Sequence, residues 1–271
     1  MWLIILASIL ALLCALYVLS LIGRRAGERI QPFRGWVYAH RGLHDASAPE
    51  NSMAAFQKAV EAGYGIELDV HLLADGSLAV MHDSLLARTT GQEGCIEDLT
   101  LEDLPNYRLS GTENTIPSFR EVLQLVDGKV PLIVELKSYK GNHDALTQAA
   151  CECMQSYRGL YCMESFDPRC VLWLRRNTPH IVRGQLADHF LKLKADYMPW
   201  ILRAVMTAPI TNFLVYPDFL AYRYRYRKKL SVWLCRRLWG VPGVAWTLQN
   251  QQEHAQAEKE GWIRIFENYR P

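Results

Sequence analysis

VYAHRGLHDASAPENSMAAFQKAVEAGYGIELDVHLLADGSLAVMHD (Val37 to Asp83) sets several of the chain's eight histidines, with Glu67 and Asp69, around short apolar stretches. Gly35 to Ala39 reads as an apolar strand ending at His40. Asn51 or Ser52 offers an N-cap for a helix through Ala62, in which Met53, Phe56 and Val60 recur at helical spacing. Gly63 stops that helix, and Gly65 to Leu72 reads as a second strand. Ala74-Asp75-Gly76 then turns the chain into a strand from Leu78 to Met81, which delivers His82-Asp83. Because side chains alternate along a strand, Glu67 and Asp69 project to one side.

Outward from this stretch the rhythm continues. A less regular segment runs to about Pro117. The pattern then predicts a helix over Ser118 to Val126, a strand over Val130 to Leu136, a helix over Asp144 to Gln155 and a strand over Gly159 to Met163. A helix over Pro168 to Asn177 and a strand over His180 to Leu186 follow, and the chain closes with strand Val244 to Leu248, helix Gln251 to Glu260 and strand Trp262 to Phe266. Such alternation calls for a mostly parallel sheet covered by helices. Periodicity does not separate a closed barrel from an open sheet, but polar residues recur just past different strand ends, where a TIM barrel assembles its active site. The expected class is α/β, a TIM barrel.

Half of the 271 residues are hydrophobic, enough for a sizeable core. Thirty basic against 28 acidic residues leave a formal net charge of +2, too balanced for wrapping nucleic acid. Trp2 to Ile22 is apolar apart from Ser8, Cys14, Tyr17 and Ser20, and ends at Gly23-Arg24-Arg25. That length crosses a hydrocarbon core of about 30 Å as a helix. With no Lys or Arg ahead of it, the segment reads as an anchor rather than a cleaved signal peptide. Arg24, Arg25 and Arg29 just beyond it place the body on the cytoplasmic side of the cell membrane, as a single-pass protein. Seven irregularly spaced cysteines do not describe a disulfide framework, and Cys151-x-Cys153 without a second pair reads as helix thiols rather than a zinc site. The expected layout is an anchor over 1–23, a juxtamembrane linker over 24–34 and a barrel over 35–271 with an insertion at about 84–118.

The strand-end residues carry the chemistry. His40, Glu67 with Asp69, His82-Asp83 and Glu135-x-Lys137 would converge at one end of a barrel. Three carboxylates form an oxygen-rich site suited to Mg²⁺ or Ca²⁺ rather than a soft metal. Two histidines beside such a cation can divide proton transfer, and Arg41 and Lys137 can offset charge on phosphoryl oxygens. Taken alone, E-x-D is common on hairpin strands, E-x-K is often a surface pair, and a histidine is often structural. Their joint placement after hydrophobic strands favours function.

The ordered set His40-Arg41-Gly42, Pro49-Glu50-Asn51-Ser52, Glu67-Leu68-Asp69-Val70, His82-Asp83, Arg88-Thr89-Thr90-Gly91, Glu135-Leu136-Lys137, Ser165-Phe166-Asp167 and Ala245-Trp246-Thr247 resembles the glycerophosphodiester phosphodiesterase family, in the form of a membrane-anchored bacterial-type member, across residues 35–271. The resemblance implies a TIM-barrel hydrolase that cleaves glycerophosphodiesters to glycerol 3-phosphate and an alcohol, using one divalent cation, Mg²⁺ or Ca²⁺. Position by position it implies His40 and His82 as the acid/base pair and Glu67, Asp69 and Glu135 as metal ligands. It also implies Arg41 and Lys137 near the phosphate, with Glu50 and Trp246 lining the substrate site. Ser52 replaces the family's usual Thr, and Ile265-Phe266-Glu267-Asn268 stands where many relatives carry Thr-Asp-x-Pro, a change expected to bear on substrate preference more than on the core chemistry.

Within the insertion, Tyr107 and Arg108 are expected to pack the loop, with lining of an alcohol-side pocket as the alternative, and Asp98, Glu102 and Asp103 to solvate it. Leu191 to Leu214, rich in large apolar residues including Tyr197, Met198 and Trp200, is expected to pack on the barrel core, with a bilayer-surface helix as the alternative. YRYRYRKKLSVWLCRR (Tyr222 to Arg237) is expected to be a solvated helix with a basic outer face, which an anionic leaflet would also suit. The partners expected are a small glycerophosphodiester or lysophospholipid and the membrane, with neither nucleic acid nor an obligate protein partner. Two other functions stay open: a lysophospholipid or other lipid head-group phosphodiesterase, and a noncatalytic membrane-bound phosphate-binding or scaffold protein.

Overall fold

The computed structural model describes residues 1–192 and 199–271. Its strands are β1 (Val37–His40), β2 (Gly65–Leu72), β3 (Leu78–Val80), β4 (Leu132–Leu136), β5 (Tyr161–Ser165), β6 (Val182–Ala187), β7 (Phe219–Arg223), β8 (Gly243–Leu248) and β9 (Trp262–Phe266). The helices that matter here are α1 (Trp2–Ser20), α2 (Met53–Glu61), α3 (Phe119–Val126), α4 (His143–Met154), α5 (Pro168–Asn177), α6 (Trp200–Thr207), α7 (Asn212–Val215), α8 (Leu230–Trp233) and α9 (Gln251–Lys259). β1 pairs in parallel with both β2 and β9, and β4 to β8 complete the ring, each parallel to its neighbours. The result is the expected closed TIM barrel.

All eight expected strands form, but one of them stands outside the ring. Leu78 to Met81 is not a barrel strand: β3 pairs antiparallel with the far end of β2. The missing member is β7, whose last residues open the basic-aromatic run read as a helix. Phe219, Leu220, Ala221 and Tyr222 are all buried, so a strand enclosed on both faces presents no alternation to read. Helix α8 begins only at Leu230. The antiparallel return matters for function. With Val70 opposite Val80 and the Met81 amide bonded to the Asp69 carbonyl at 3.1 Å, the chain is carried back so that His82 meets the barrel rim.

Local chemistry starts the helices where expected. Ser52 Oγ accepts the Ala55 amide, Ser118 and Glu121 form a reciprocal capping box, and Asp167 and Asn250 cap α5 and α9. Each such cap stabilises a helix by about 1 kcal/mol. Asn51 does not cap α2. It takes a left-handed backbone, φ 55°, and sends its side-chain amide to Asp69 Oδ2 at 2.8 Å. Inside the barrel, Tyr38, Ile133, Cys162, Phe219 and Ile263 form a core closed at its N-terminal end by Ile30 and Phe33. Gly184 is required there, because a Cβ on it would lie 2.1 Å from a ring carbon of Phe219 on the adjoining strand.

Between Ser84 and Ser118 the insertion builds its own small core from Leu86, Ile96, Leu99, Leu104, Leu109 and Ile116, seated on Leu73, Ala79 and Met81. Tyr107 packs on that cluster and Arg108 pairs with Glu113 at the surface, in keeping with loop packing. Of the Leu191 to Leu214 segment, Tyr197 and Met198 lie outside the described residues. The core packing expected for the remainder is not found: Trp200 and Ile201 are 71% and 61% exposed. In α6 only Thr207 is fully buried, since this short helix leans on the barrel mouth and has protein on one side alone.

Helix α1 has a mean hydropathy of 2.7 and none of it is buried inside the protein. Among the described residues it is the single helix long and apolar enough to cross a membrane. Its last turn docks on the barrel: Trp239 Nε1 donates to the Val18 carbonyl at 2.9 Å, and Cys235 Sγ to that of Leu21 at 3.4 Å. Residues 24–34 then run across the N-terminal end of the barrel. The Arg24 amide meets Pro217 O at 2.8 Å, and the Arg29 guanidinium reaches the carbonyls of Pro179, His180 and Ile181.

Candidate active site

Strand register sets the polar residues side by side at the C-terminal rim. His40 on β1 lies opposite Glu67 on β2, Asp69 opposite Glu135 on β4, and Glu135 opposite Glu164 on β5. Glu67, Asp69 and Glu135 are all buried, and one oxygen from each lies within 4.8 Å of the others. Lys137 Nζ stands between two of them, 2.9 Å from Glu135 Oε1 and 3.2 Å from Asp69 Oδ1. The Arg41 amide donates to Glu67 Oε2 at 3.1 Å, while its guanidinium bonds Glu50 at 2.8 Å and lies 3.6 Å from Asp69. To do both, Arg41 adopts φ 56°, a left-handed conformation that costs a non-glycine residue roughly 1–2 kcal/mol and that these contacts hold in place.

Glu164 was not singled out from sequence. It is buried, faces the same cavity, and its Oε2 has no hydrogen-bond partner. Its signal was parity: with Cys162 it occupies the inward positions of β5, in line with Glu135.

The electrostatics of this cluster are unbalanced. Four buried carboxylates, Glu67, Asp69, Glu135 and Glu164, face two cations, Arg41 and Lys137. Burial and then the neighbouring Asp69 and Glu135 charges push Glu67 well above the usual carboxylate range. Burial, with the charges of Glu135 and Asp69, does the same to Glu164. Burial also raises Glu135, against the pull of Lys137. Asp69 goes the other way: burial disfavours its charge, but Lys137, His82, Arg41 and the Asn51 amide outweigh that and hold it well below the range. Surplus charge, the unpartnered Glu164 Oε2 beside the cluster and an all-oxygen donor set together fit a hard divalent cation among Glu67, Asp69 and Glu135.

Both histidines are oriented by carboxylates. His40 Nδ1 bonds Glu267 Oε1 at 2.7 Å and its Nε2 lies 3.8 Å from Glu67. Burial lowers the His40 pKa, and Glu267 opposes that shift. His82 Nδ1 bonds Asp83 Oδ1 at 2.5 Å, leaving Nε2 for the cavity. Asp83 is gripped by Arg88, whose guanidinium also holds Glu50 at 2.7 and 2.9 Å. Glu50 thus stands behind the cavity wall as a bridge between Arg41 and Arg88. His71 fixes the same segment from below, bonding Glu97 through Nδ1 and the His82 carbonyl through Nε2. Glu267 belongs to the divergent C-terminal tetrapeptide, so that divergence supplies the partner of His40.

The cavity has a volume of about 450 Å³. One side is the ionisable rim, with His40, Arg41, His82 and Lys137; the other is apolar, with Phe166, Phe190, Met206 and Trp246. Phe166 packs edge-on against both Phe190 and Trp246, at ring-centre distances of 5.6 and 5.8 Å. Arg223, tied to Asp188 at 2.7 Å, lies 4.6 Å over the Trp246 ring. The buried Trp246 Nε1 has no protein acceptor. Asp188 and Arg223 were missed from sequence, because they meet only once the undetected β7 lies beside β6.

Residues 40–268 match the model of the Glycerophosphoryl diester phosphodiesterase family. A protein of Bacillus altitudinis named glycerophosphodiester phosphodiesterase is 34% identical over 199 residues, covering 66% of this chain and 80% of that one. One of the same name from Caldanaerobacter subterraneus is 35% identical over 164 residues, covering 55% of this chain, and the match spans 65% of the relative's length. Among solved structures, an Oleispira antarctica phosphodiesterase in complex with the product sn-glycerol-3-phosphate shares the fold at a TM-score of 0.70 and 23% identity, covering 87% of this chain and 93% of that one.

Proposed function

The chain belongs to the glycerophosphoryl diester phosphodiesterase family, a family of hydrolases, and from that premise we propose that it hydrolyses glycerophosphodiesters to glycerol 3-phosphate and an alcohol. The observation carrying this reading is the convergence of three buried carboxylates, with oxygens within 4.8 Å, beside two carboxylate-oriented histidines. Glu67, Asp69 and Glu135 would hold one Mg²⁺ or Ca²⁺, which supplies neutralising charge at phosphoryl oxygens when bound. Arg41 and Lys137 add positive charge on the same side, where it offsets the charge that grows on phosphorus-bound oxygens in the transition state.

His40 lies deep, with its Nδ1 proton directed to Glu267, so Nε2 is the free acceptor. It takes the proton of the attacking oxygen, from water or from the substrate's own glycerol hydroxyl. His82 lies nearer the open mouth. With Nδ1 held by Asp83, it gives a proton from Nε2 to the departing alkoxide. The P–O bond to the alcohol breaks as the new P–O bond forms. Attack by the glycerol hydroxyl leaves a cyclic phosphate that water opens, with the two histidines exchanging roles; either route consumes one water. Trp246 Nε1 offers a donor to a substrate oxygen on the apolar side. Glu50 acts through Arg41 and Arg88 rather than by contact.

In this reading residues 1–23 anchor the barrel domain, residues 35–271, to the membrane, with Arg24, Arg25 and Arg29 marking the cytoplasmic side. Release of glycerol 3-phosphate from a panel of glycerophosphodiesters, with Mg²⁺, Ca²⁺ or a chelator, tests the assignment. Cation-dependent turnover that is lost in His40→Ala and in His82→Ala is the expected result. Absence of turnover across the panel would instead favour a noncatalytic phosphate-binding protein.

A further inference from the structure

Apart from Met1 and from Leu85 and Leu101 of the insertion, every large apolar side chain that is exposed outside α1, among the described residues, lies between Leu191 and Leu238. This is the sector of the two connections that follow β6 and β7. Isolated exposed leucines are ordinary; a whole sector of them marks a contact surface. The sector is also cationic. From Asp188 to Pro242 the sequence has no glutamate and only three aspartates, against a basic series that includes Lys192, Arg225, Lys228, Lys229 and Arg237. Apolar side chains ringed by Lys and Arg suit the headgroup layer of an anionic bilayer.

Helix α1 docks on this same sector. The Leu21 carbonyl meets Cys235, and one turn back Tyr17 packs beside Ser231, so contact moves toward the start of α8, which follows the C-terminal end of β7. The helix therefore leaves the barrel toward the rim that carries the active site. Residues 2–16 run on with no protein around them, about 20 Å at helical rise. Helix α6 sits at that rim as a thin partition: Met206 faces the cavity beside Phe190, while Trp200 and Ile201 face outward.

We infer that the β6-to-β8 sector lies in the headgroup layer beside α1, so that the active-site mouth opens along the bilayer and receives single-chain lipid phosphodiesters, the lysophospholipids, directly from it. The ionisable side around His82 takes the polar head group. The apolar side formed by Phe166, Phe190, Met206 and Trp246 takes the start of the acyl chain, which runs past α6 into the lipid. Water then adds its hydroxyl to phosphorus and its proton to the leaving head-group alcohol, and the acylated glycerol phosphate stays in the membrane. The inference rests on the proposed activity and on α1 as a membrane span.

The test uses the full chain in phosphatidylcholine vesicles containing phosphatidylserine, comparing water-soluble glycerophosphocholine with vesicle-embedded lysophosphatidylcholine. The variant is Trp200→Ser with Ile201→Ser, two outward-facing positions that leave the core intact. Expected are unchanged glycerophosphocholine turnover, retention in the pellet after alkaline carbonate, and a roughly tenfold fall in turnover of the embedded lipid. Equal change on both substrates, or none on either, overturns the docking while leaving the proposed activity standing. Wild-type chain extracted by carbonate removes the span and the docking together. No turnover of glycerophosphocholine by the wild type removes the activity and with it this inference. If the variant keeps both turnovers but separates an oligomer into single chains, the face joins copies of the protein and lipid docking is wrong.

Discussion

Replacing Glu267 by Gln isolates the contribution of the carboxylate behind His40. The substitution keeps shape and a hydrogen-bond acceptor but removes the charge 2.7 Å from Nδ1. Glu267 itself is held ionised: burial opposes its charge, but bonds from His40, His44 and Gln249 prevail and keep its pKa far below the usual range. A hydrogen bond to a charged partner contributes about 1.5–3 kcal/mol, and here it is strongest when His40 has taken the substrate's proton, so kcat should fall roughly 10- to 100-fold. The sign on pH is also fixed. Burial depresses the His40 pKa and Glu267 raises it, so losing the carboxylate depresses it further and moves the acid limb of the pH–rate profile to lower pH. Steady-state kinetics across pH on glycerophosphocholine, with Glu267→Asp as the conservative control, reads both effects. A Gln variant within twofold of wild type, with its acid limb unmoved, would refute the reasoning.

Lys137→Met should leave Glu135 and Asp69 without their ammonium, destabilising the cation-free protein by about 3–5 kcal/mol, with a smaller deficit once Mg²⁺ or Ca²⁺ is added; thermal unfolding with and without chelator measures both. Glu67 has a folded pKa above its unfolded one, so the folded chain binds the extra proton between those values and stability falls as pH rises through that window. Chelated protein should therefore grow more stable as pH is lowered from neutral toward the ordinary glutamate range, and saturating cation should flatten that slope in denaturant titrations. Gly184→Ala should cost about 1–3 kcal/mol or more through overpacking against Phe219, seen as a lowered denaturation midpoint at unchanged slope.

Much of the fold was legible because a barrel strand and its helix are local patterns. Ser118, Asp167 and Asn250 announce helix starts, and the motif residues His40, His82, Glu135 and Lys137 sit at or just past strand ends, with Glu67 and Asp69 alternating within β2, where sequence position and spatial position coincide. What escaped depends on pairing across the ring. Glu164 becomes a site residue only through its register with Glu135, and Glu267 only because β9 closes onto β1. The strand β7 was hidden because both of its faces are buried and its end runs into Tyr224 and Arg225, a stretch whose composition resembles a basic helix. The segment around Trp200 was assigned to the core because large apolar residues usually go there, and the exposed face of α6 shows that rule failing where the protein provides nothing to pack against.

Titration calorimetry of the full chain with Mg²⁺ and with Ca²⁺ tests the carboxylate cluster most directly. One cation should bind per chain, with that binding abolished in Glu67→Gln and in Glu135→Gln and retained in His40→Ala. Undiminished binding in either carboxylate variant would contradict the account.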